Sequence, residues 1–413
     1  MSKPILLIIS ATIRRDLHRP FRQFRKFRVV HAYHDAAYGD MDQADFGADT
    51  RQYRTLAQLR RLIDELQPDL IQGPEPVASR LMLGASWIVW RWHRQTGRPY
   101  FFPSFENRPL HDKFGPFVGW LMRWWLGLYG RSAAWLFVLN EGARQNLLAA
   151  GLARPVASRT AREVKDDATK IIRANWGNWG IDQSEFSPGP DPAAARSPYP
   201  VVLFVGRLST AKGVDTLLQA RQIIRAALPT AELWLVGPSH LDVNNQRLMT
   251  QATHLPGVKL LGSKKQRELP SFFRRAWVSV LLSRTTKRWS EQVGMTNLQS
   301  LACGTPIVTT TSGSIPEYLL RQEAGGRRQE GKSSLIPHTS HLDTGNGALL
   351  VPEHDANAAA AAILEILQDP KRRETMGQAG VDWIRTTFDE AVTVPQLELE
   401  TLKRFQRIQG VES

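Results

Sequence analysis

Short apolar runs alternate with longer amphipathic segments along almost the whole chain. ILLIIS (5–10), VVLFVG (201–206) and AELWLVG (231–237) have the length of buried strands, and the segments between such runs have the length of helices. This alternation predicts βαβ units that build largely parallel sheets with helices on both faces. The stretch TRQYRTLAQLRRLIDELQ (50–67) is predicted to be one of the helices. No internal repeat is visible, which argues against a solenoid.

The chain is longer than a single hydrophobic core usually supports, so its 413 residues predict two domains. Pro, Ala and Ser crowd together in SPGPDPAAARSPYP, which places the predicted linker at 187–200. The predicted domains are therefore 1–190 and 198–388, followed by a terminal amphipathic helix at 391–410. Residues 321–343 show no periodicity and are predicted to form a surface insertion.

Cysteine content and hydropathy exclude several classes of protein. A single cysteine, Cys303, excludes an internal disulfide framework and favours a reducing compartment. Because it lies in an apolar run, we expect a small buried thiol and not a nucleophile. The first residues lack the cleavage site of a secretion signal, and no stretch approaches the roughly 18 uninterrupted apolar residues of a membrane span. The sequence thus predicts a cytoplasmic protein that does not cross a bilayer.

The net charge of +14 is concentrated in the first half of the chain, where residues 1–190 carry 27 Lys and Arg against 18 Asp and Glu. Such an excess favours phosphate-bearing partners, either nucleic acid, anionic lipid or a phosphorylated small molecule. No helix-turn-helix, RNP or zinc pattern is present, so nucleic acid is not expected. No His or Asp cluster has the spacing of metal ligands, so no metal site is expected either.

Two segments mix arginine with aromatic residues: FVGWLMRWWLGLYGRSAAW (117–135) and RPFRQFRKFRVV (19–30). Aromatic rings lie well at headgroup depth, where guanidinium groups meet lipid phosphates. A core helix with a solvated strand and loop would account for the same residues. We expect peripheral contact with an anionic membrane surface, on its inner face, because this also accounts for the one-sided charge.

Two cations follow a predicted strand of the second half. In RLSTAKGV, Arg207 and Lys212 lie on one loop that opens a helix. Ligands of doubly wound sheets bind outside the carboxyl ends of the strands, so this loop can hold a diphosphate between two cations and a helix N-terminus. A solvated surface loop is the alternative. The loop lacks the Gly and Lys spacing of a P-loop.

The segment SEQVGMTNLQSLACGTPIV contains a predicted buried helix at 295–302 that runs into a buried strand. On one ideal helix Glu291 and Gln299 would lie about 80° apart, on no common face. If Glu291 instead lies in the preceding loop, both side chains can point into one crevice. Gly294 then lets the backbone approach a ligand, and the free amides of the first helical turn can donate to it.

Several linked motifs resemble the C-terminal domain of family 4 retaining glycosyltransferases, strongly over about 198–320. These motifs are FVGRLSTAKGVDTLLQA, LWLVG, VKLLGS and EQVGMTNLQSLACGTPIVTTTSGSIPEYL. The first half resembles the family weakly, in the subgroup with Glu-Gln-x-Gly in place of Glu-Gly-Phe-Gly. The resemblance implies an α/β GT-B fold, with two doubly wound Rossmann-like domains facing a central cleft.

The resemblance also implies roles for individual residues. Arg207 and Lys212 would hold the diphosphate of a UDP- or GDP-linked sugar, and Glu291 would bind the sugar hydroxyls. Gln299 stands where the family has a second Glu that accepts from the ribose, and it would bind more weakly. The remaining donor-binding residues would be Gly206, Gly237, Ser263, Gln292, Val293, Gly294, Met295 and Thr296.

The acceptor side departs from the family pattern. Phe105 and Glu106 stand in place of the N-terminal His, and Arg14 and Arg15 replace a glycine-rich loop. Glu75 is the other acceptor-side candidate. The resemblance implies a glycan or a lipid-linked molecule as the acceptor.

The family mechanism implies retention of configuration, with no metal and no cofactor besides the nucleotide-sugar substrate. The acceptor hydroxyl attacks the face that the diphosphate leaves, and the departing phosphate oxygen takes its proton. Such a reaction would serve cell-surface polysaccharide or glycolipid synthesis. The alternative is a degenerate scaffold that binds a phosphorylated ligand without turnover, which Gln299, Val293 and the missing His favour.

Overall fold

The structure is a computed structural model, and it describes residues 3–36, 46–152, 170–173, 180–238, 243–286, 289–320 and 341–410. Most of the predicted insertion at 321–343 lies outside these residues. Within the described part of the chain, no helix combines the length and the apolar character that crossing a bilayer requires.

The chain divides into two compact units, Met1–Gly180 with Glu390–Ser413, and Ile181–Asp389. The change of unit falls before the predicted linker, because Ile181 and Phe186 are buried in the core of the second unit.

The predicted linker at 187–200 therefore lies inside the second unit. Arg196 within it donates to the carbonyl oxygen of Ala276 at 2.7 Å, and Trp277 donates to the carbonyl of Ser197 at 2.8 Å. Proline and alanine in this stretch signal irregular backbone but do not show which core that backbone packs against.

The first unit is a seven-stranded parallel sheet in the order β3-β2-β1-β4-β5-β6-β7. The described elements are β1 Ile5–Thr12, α1 Arg15–Arg22, β2 Arg28–Asp35, β3 Thr50–Gln52, α2 Leu56–Leu66, β4 Leu70–Gln72, α3 Arg80–Thr96, β5 Tyr100–Ser104, α4 Leu110–Phe114, α5 Pro116–Ser132, β6 Trp135–Val138, α6 Glu141–Ala149 and β7 Ile171–Arg173.

The second unit repeats this plan with the order β10-β9-β8-β11-β12-β14-β13, in which only β13 is antiparallel. The described elements are α7 Pro192–Ala195, β8 Val201–Val205, α8 Val214–Ala227, β9 Glu232–Val236, α9 Val243–Thr253, β10 Val258–Gly262, α10 Leu269–Arg275, β11 Val278–Leu281, α11 Met295–Ala302, β12 Ile307–Thr310, α12 Ile315–Leu319, β13 Leu342–Asp343, β14 Ala348–Val351, α13 Ala356–Gln368 and α14 Pro370–Thr387.

One predicted helix is shorter than expected. The stretch 50–67 contains β3 followed by α2, so the prediction of a single helix was wrong. Thr55 sets the start of α2, because its side chain accepts from the amide of Gln58 while the Gln58 side chain accepts from the amide of Thr55. Residues 50–52 instead pair with β2.

The terminal helix α15, Glu390–Ile408, belongs to the first unit and packs on α1 and the loop that follows it. Gln23 donates to the Glu390 carboxylate, and the rings of Phe27 and Phe405 lie 5.9 Å apart. The helix predicted at 391–410 is thus present and covers one face of the first sheet.

A buried histidine pair joins α1 to β2. The Nδ1 atoms of His18 and His31 lie 3.0 Å apart, and the His31 Nε2 atom lies 2.9 Å from the Ser10 hydroxyl. Burial, and then the proximity of His18, lowers the pKa of His31 to about 3. His31 is therefore neutral in the folded protein under ordinary conditions.

This pKa predicts loss of stability in mild acid. An unfolded histidine takes up a proton near pH 6.5, whereas folded His31 does not until about pH 3, so the unfolded state binds more protons in between. Stability should fall as the pH drops below 6.5, by about 2 kcal/mol at pH 5 from this group. Thermal unfolding of the wild type and of His31→Gln at pH 7.5 and at pH 5 measures this loss of stability. An equal loss in the variant would contradict the assignment.

Candidate functional site

The second sheet changes its direction of winding between β8 and β11. β9 lies on one side of β8 and β11 on the other, so the loops that follow β8 and β11 turn to opposite faces of the sheet. Such a switch point leaves a crevice at the carboxyl ends of the strands, where ligands of doubly wound folds bind. Lys212 follows β8, and Glu291 follows β11.

Lys212 and Glu291 form an ion pair at this switch point. The Lys212 Nζ atom donates to Glu291 Oε2 at 2.6 Å, and the Ser283 hydroxyl donates to the same oxygen at 2.7 Å. The side chains of Lys212 and Glu291 are 22% and 8% exposed. The Nζ atom also lies 4.6 Å from the centre of the Trp289 ring. The ammonium group is thus held between a carboxylate and an aromatic face.

The loop that carries Lys212 is anchored on both sides. The Leu208 amide donates to the carbonyl of Pro238 at 2.9 Å, and the Thr210 amide donates to Asn245 Oδ1 at 3.0 Å. A short 3₁₀ turn, Thr210–Lys212, then leads into α8. These contacts set the direction of the Lys212 side chain before any ligand is bound.

Gly213 lets this loop pass close to the end of β11. Its φ is +74°, and a Cβ at this position would lie 1.9 Å from the carbonyl oxygen of Leu282. No other residue type fits both the left-handed backbone and this approach. The close contact brings the Lys212 turn beside the segment that carries Ser283 and Glu291.

The loop after β12 holds Glu291 from its backbone side. The Ser314 amide donates to the carbonyl of Glu291 at 3.0 Å, and the Ser314 hydroxyl donates to the carbonyl of Gln292. Three strand-end loops, after β8, β11 and β12, therefore meet at Glu291, the first two at its carboxylate and the third at its backbone.

The helix α11 begins where the sequence predicts it, at Met295, and ends at Ala302. Gly294 precedes it with φ +67°, and a Cβ at this position would lie 3.0 Å from the Tyr318 hydroxyl. The Asn297 side chain donates to Tyr318 Oη at 3.2 Å. Glu291 thus lies in the loop, as predicted, and not on the helix.

Gln299 lies on α11 and is only 4% exposed. Its side chain has no hydrogen-bond partner among the described residues. The described part of the protein thus leaves this amide without a hydrogen bond.

Arg207 does not join the Lys212 and Glu291 pair. It follows Gly206 at the end of β8, is exposed, and has no ion-pair partner in the described ranges. The structure thus brings together two of the three predicted catalytic residues and leaves the third open to solvent on the same loop.

The other predicted donor residues lie at the same edge of the second sheet. Gly237 and Ser263 follow β9 and β10, and the Gly237 amide donates to the carbonyl of Gly262 at 2.9 Å. Gln292 is exposed, whereas Val293, Met295 and Thr296 are half-buried.

Sequence reasoning missed Ser283 and Trp289. Ser283 comes two residues after β11, and Trp289 comes two residues before Glu291. An aromatic residue in a polar loop with no apolar periodicity was the signal for Trp289. A serine after a strand carries no such signal, and only the fold shows its contact.

The acceptor-side candidates lie at the carboxyl edge of the first sheet. Arg14 and Arg15 follow β1, and Arg14 pairs with Asp16 at 2.7 Å. Glu75 follows β4, and Glu106 follows β5.

Both of these carboxylates hold their own loops together. Glu75 Oε1 accepts from the Ser104 hydroxyl at 2.6 Å and from the amides of Phe105 and Glu106. Burial raises the pKa of Glu75, and these donors partly oppose the rise. Such contacts favour a structural role.

Glu106 has two cationic partners. Arg108 donates to its carboxylate at 2.8 Å, and Lys113 donates to the other oxygen. Burial by itself would raise the pKa of Glu106, but these donors bring it below its ordinary value. Glu106 therefore orders the segment between β5 and α4.

Cys303 ends α11 as a buried thiol that is 2% exposed. Burial raises its pKa to about 12, so it is protonated and unreactive. The expectation of a structural cysteine is confirmed.

Comparison with known proteins shows what this chain is similar to. Residues 190–383 match the family model described as glycosyl transferases group 1. A GDP-mannose-dependent monoacylated alpha-(1-6)-phosphatidylinositol monomannoside mannosyltransferase from Corynebacterium glutamicum is 28% identical over 211 residues, 49% of this chain and 49% of that protein. A D-inositol 3-phosphate glycosyltransferase from Thermobispora bispora is 27% identical over 280 residues, 61% of this chain and 58% of that protein. The chain spans about half the length of the curated relatives it matches.

Solved structures match nearly the whole chain. Sucrose-phosphate synthase from Thermosynechococcus elongatus gives a TM-score of 0.68 at 18% identity, over 98% of this chain and 100% of that one. HepE from Anabaena, in complex with UDP, gives 0.66 at 18% identity, over 97% and 99%. The chain therefore has the GT-B fold, and its residues 190–383 are similar to the glycosyl transferases group 1 family.

Proposed function

We propose that this protein is a retaining, metal-independent glycosyltransferase that moves a sugar from a nucleotide-diphosphate sugar to a glycan or lipid-linked acceptor. The observation that carries the proposal is the ion pair of Lys212 and Glu291 at the switch point of the second sheet. A half-buried cation next to a buried carboxylate can bind both ends of a sugar diphosphate. Arg207 on the same loop adds a second cation.

The two charges of the Lys212 and Glu291 pair would bind different parts of the nucleotide-sugar donor. Lys212 and Arg207 attract the diphosphate oxygens, and charge-assisted hydrogen bonds of this kind contribute on the order of 1.5–3 kcal/mol each. The carboxylate of Glu291 accepts from hydroxyl groups of the sugar. In the absence of donor the two charges neutralise each other, which keeps a buried carboxylate paired.

In the transfer step, the bond between the anomeric carbon and the diphosphate oxygen breaks, and its electron pair leaves with the diphosphate. The acceptor oxygen forms the new bond on the same face and gives its proton to the departing phosphate oxygen. Negative charge grows on that oxygen in the transition state, where Lys212 and Arg207 stabilise it. No protein base is needed for this route.

Gln299 supplies a prediction about the nucleotide. Gln299→Glu should tighten UDP or GDP binding about fivefold, because a carboxylate accepts a stronger hydrogen bond from ribose than an amide does. It should also lower the stability of the unliganded protein, because residue 299 is buried on α11 and the variant would place a carboxylate there. Isothermal titration and thermal unfolding measure the two effects. Gln219→Glu, on the exposed face of α8, is the charge-matched control. Unchanged affinity in Gln299→Glu would remove Gln299 from the ribose site.

A thermal-shift experiment with UDP and GDP tests donor binding. One relative is named as GDP-mannose-dependent, and one solved neighbour holds UDP, so both nucleotides are candidates. A ligand at 100 times its Kd stabilises the folded state by about 2.7 kcal/mol. The nucleotide that raises the melting temperature of the wild type but not of Lys212→Met identifies the base. No shift with either nucleotide would overturn the proposal.

Turnover separates the transferase from the alternative. The purified chain should transfer or hydrolyse at least one sugar from a panel of UDP- and GDP-sugars. Binding of a nucleotide without any turnover would instead support the degenerate scaffold. The proposal places the reaction in cell-surface polysaccharide or glycolipid synthesis, at the inner face of a membrane.

A further inference from the structure

The helices α3 and α5 of the first unit present large apolar side chains to solvent. Phe117 is 71% exposed, Trp120 and Trp124 are each 58% exposed, and Trp87 is 48% exposed. Residues 117, 120 and 124 follow helical spacing, so they form one stripe along α5. Exposed aromatic residues grouped in this way mark a surface that binds something apolar.

Ring contacts join the two helices into one surface. Trp87 on α3 lies 5.1 Å from the buried Trp125, measured between ring centres, and Trp124 lies 6.5 Å from the same ring. Trp125 therefore forms the floor between the exposed rings of both helices. We call the exposed residues of α3 and α5 the aromatic face.

The aromatic face carries positive charge only. α3 and α5 together contain five arginines and no Asp or Glu. Arg91 and Arg94 lie four and seven positions after Trp87, which puts them on its side of α3, and Arg131 continues the α5 stripe. Arg80, Arg91, Arg94 and Arg131 are exposed. Apolar rings with cations around them match the acyl boundary and phosphates of an anionic bilayer.

Only one of the two segments that the sequence predicted to contact a membrane exposes aromatic side chains in the structure. Phe21, Phe24 and Phe27 of segment 19–30 are buried in a core cluster that includes α15. That segment offers no aromatic residue to a membrane, and that part of the prediction was wrong.

Segment 117–135 is divided between surface and core. Trp125 and Trp135 are buried, whereas Trp120 and Trp124 are exposed. Trp87, which lies outside both predicted segments, adds to the exposed side. Helix α3 therefore joins α5 in the surface.

We propose that the aromatic face docks the protein on an anionic lipid bilayer. Its rings enter the headgroup region, and its arginines contact lipid phosphates. This inference extends the proposed function by naming the surface that would bring the protein to a lipid-linked acceptor. Its test uses no donor and no turnover, so the two proposals can fail separately.

The experiment is co-sedimentation of the full chain with vesicles at 150 mM salt. One set of vesicles is phosphatidylcholine, and the other contains 40% phosphatidylglycerol. The wild type should bind the anionic vesicles and bind the neutral ones at least tenfold more weakly, since each basic residue near an anionic surface adds about 1 kcal/mol. The triple variant Phe117→Ser, Trp120→Ser, Trp124→Ser should lose at least tenfold in partitioning to the anionic vesicles.

Matched variants separate lipid contact from general effects. Leu399→Ser with Val392→Ser removes exposed apolar side chains from α15 and should bind as the wild type does. A second pair of variants tests the charge. The triple change to Gln of Arg80, Arg91 and Arg94 should abolish the preference for anionic vesicles, whereas the same change at the exposed residues Lys371, Arg385 and Arg407 should leave it.

Three results would overturn the inference. The first is absence of wild-type binding to anionic vesicles, and the second is equal binding by the Ser triple variant with an unchanged melting temperature. The third is a protein that is dimeric without lipid as the wild type and monomeric as the Ser triple variant, which would assign the aromatic face to a second copy of the chain.

Discussion

Lys212→Met is expected to lower kcat/KM for sugar transfer by about a hundredfold or more. The ammonium group lies in a half-buried site, 2.6 Å from Glu291 and against the Trp289 ring, where solvent screens it less than on the surface. Removing one preorganised group that stabilises a leaving anion costs on the order of a hundredfold to a thousandfold in turnover. Steady-state kinetics with the nucleotide sugar identified by the turnover panel measures this.

The same substitution also affects the unliganded protein. It removes the Lys212 ammonium group from the buried Glu291 carboxylate, which should cost about 1–3 kcal/mol of stability. Adding Glu291→Gln removes the buried negative charge that Lys212 balanced, so the double variant should recover stability but not activity. Lys259→Met is the control, because it breaks a lysine–glutamate pair between β10 and β9, where Lys259 and Glu232 are 2.8 Å apart. If Lys212→Met and Lys259→Met both retained a third of wild-type activity, Lys212 would have no specific role in the reaction.

Gly213→Ala should lower the stability of the second unit by about 3 kcal/mol or more. A left-handed backbone costs a residue with a Cβ about 1–2 kcal/mol, and the clash with the Leu282 carbonyl adds to this because neither partner is a flexible side chain. Relief of the clash would move the Lys212 turn away from Ser283 and Glu291. Nucleotide binding should therefore weaken as well.

Gly345→Ala is the matched control for this prediction. Gly345 has φ +76°, nearly the same as Gly213, but a Cβ there would meet nothing within 4 Å. It should cost only the backbone term, about 1–2 kcal/mol. Calorimetric unfolding of both variants separates the two contributions. Equal losses in Gly213→Ala and Gly345→Ala would mean that the close approach to Leu282 is not a constraint.

Local pattern predicted most of the regular structure of the second unit. The run at 201–206 is β8, Val201–Val205, and the helix expected at 295–302 is α11 at those bounds. These segments are buried on most sides, so their runs of apolar residues are enough to predict that they lie in the core. The structure of the stretch 50–67 was predicted less well. Its apolar spacing is helical throughout, but residues 50–52 pair with β2 and the capping hydrogen bonds of Thr55 start the helix only after that residue.

The same limit applies to polar residues. The sequence placed Lys212 and Glu291 at strand ends, and the parallel sheet brings such ends to one edge. It gave no sign that Glu75 and Glu106 would be used to order loops of the first unit. A carboxylate near a strand end looks the same in both roles until its hydrogen-bond donors are known.

From the chain alone one could read two parallel-sheet units, the buried strands and the candidate residues at the strand ends, because strand and helix periodicity depends on near neighbours. Only the tertiary structure decided that Lys212 and Ser283 both donate to one carboxylate oxygen of Glu291. These three residues are spread over about 80 positions of the sequence. The tertiary structure also decided that the phenylalanines at 21–27 are covered by α15 while Trp120 and Trp124 are not. Both outcomes depend on which distant segment packs against a side chain, and no local pattern contains that partner.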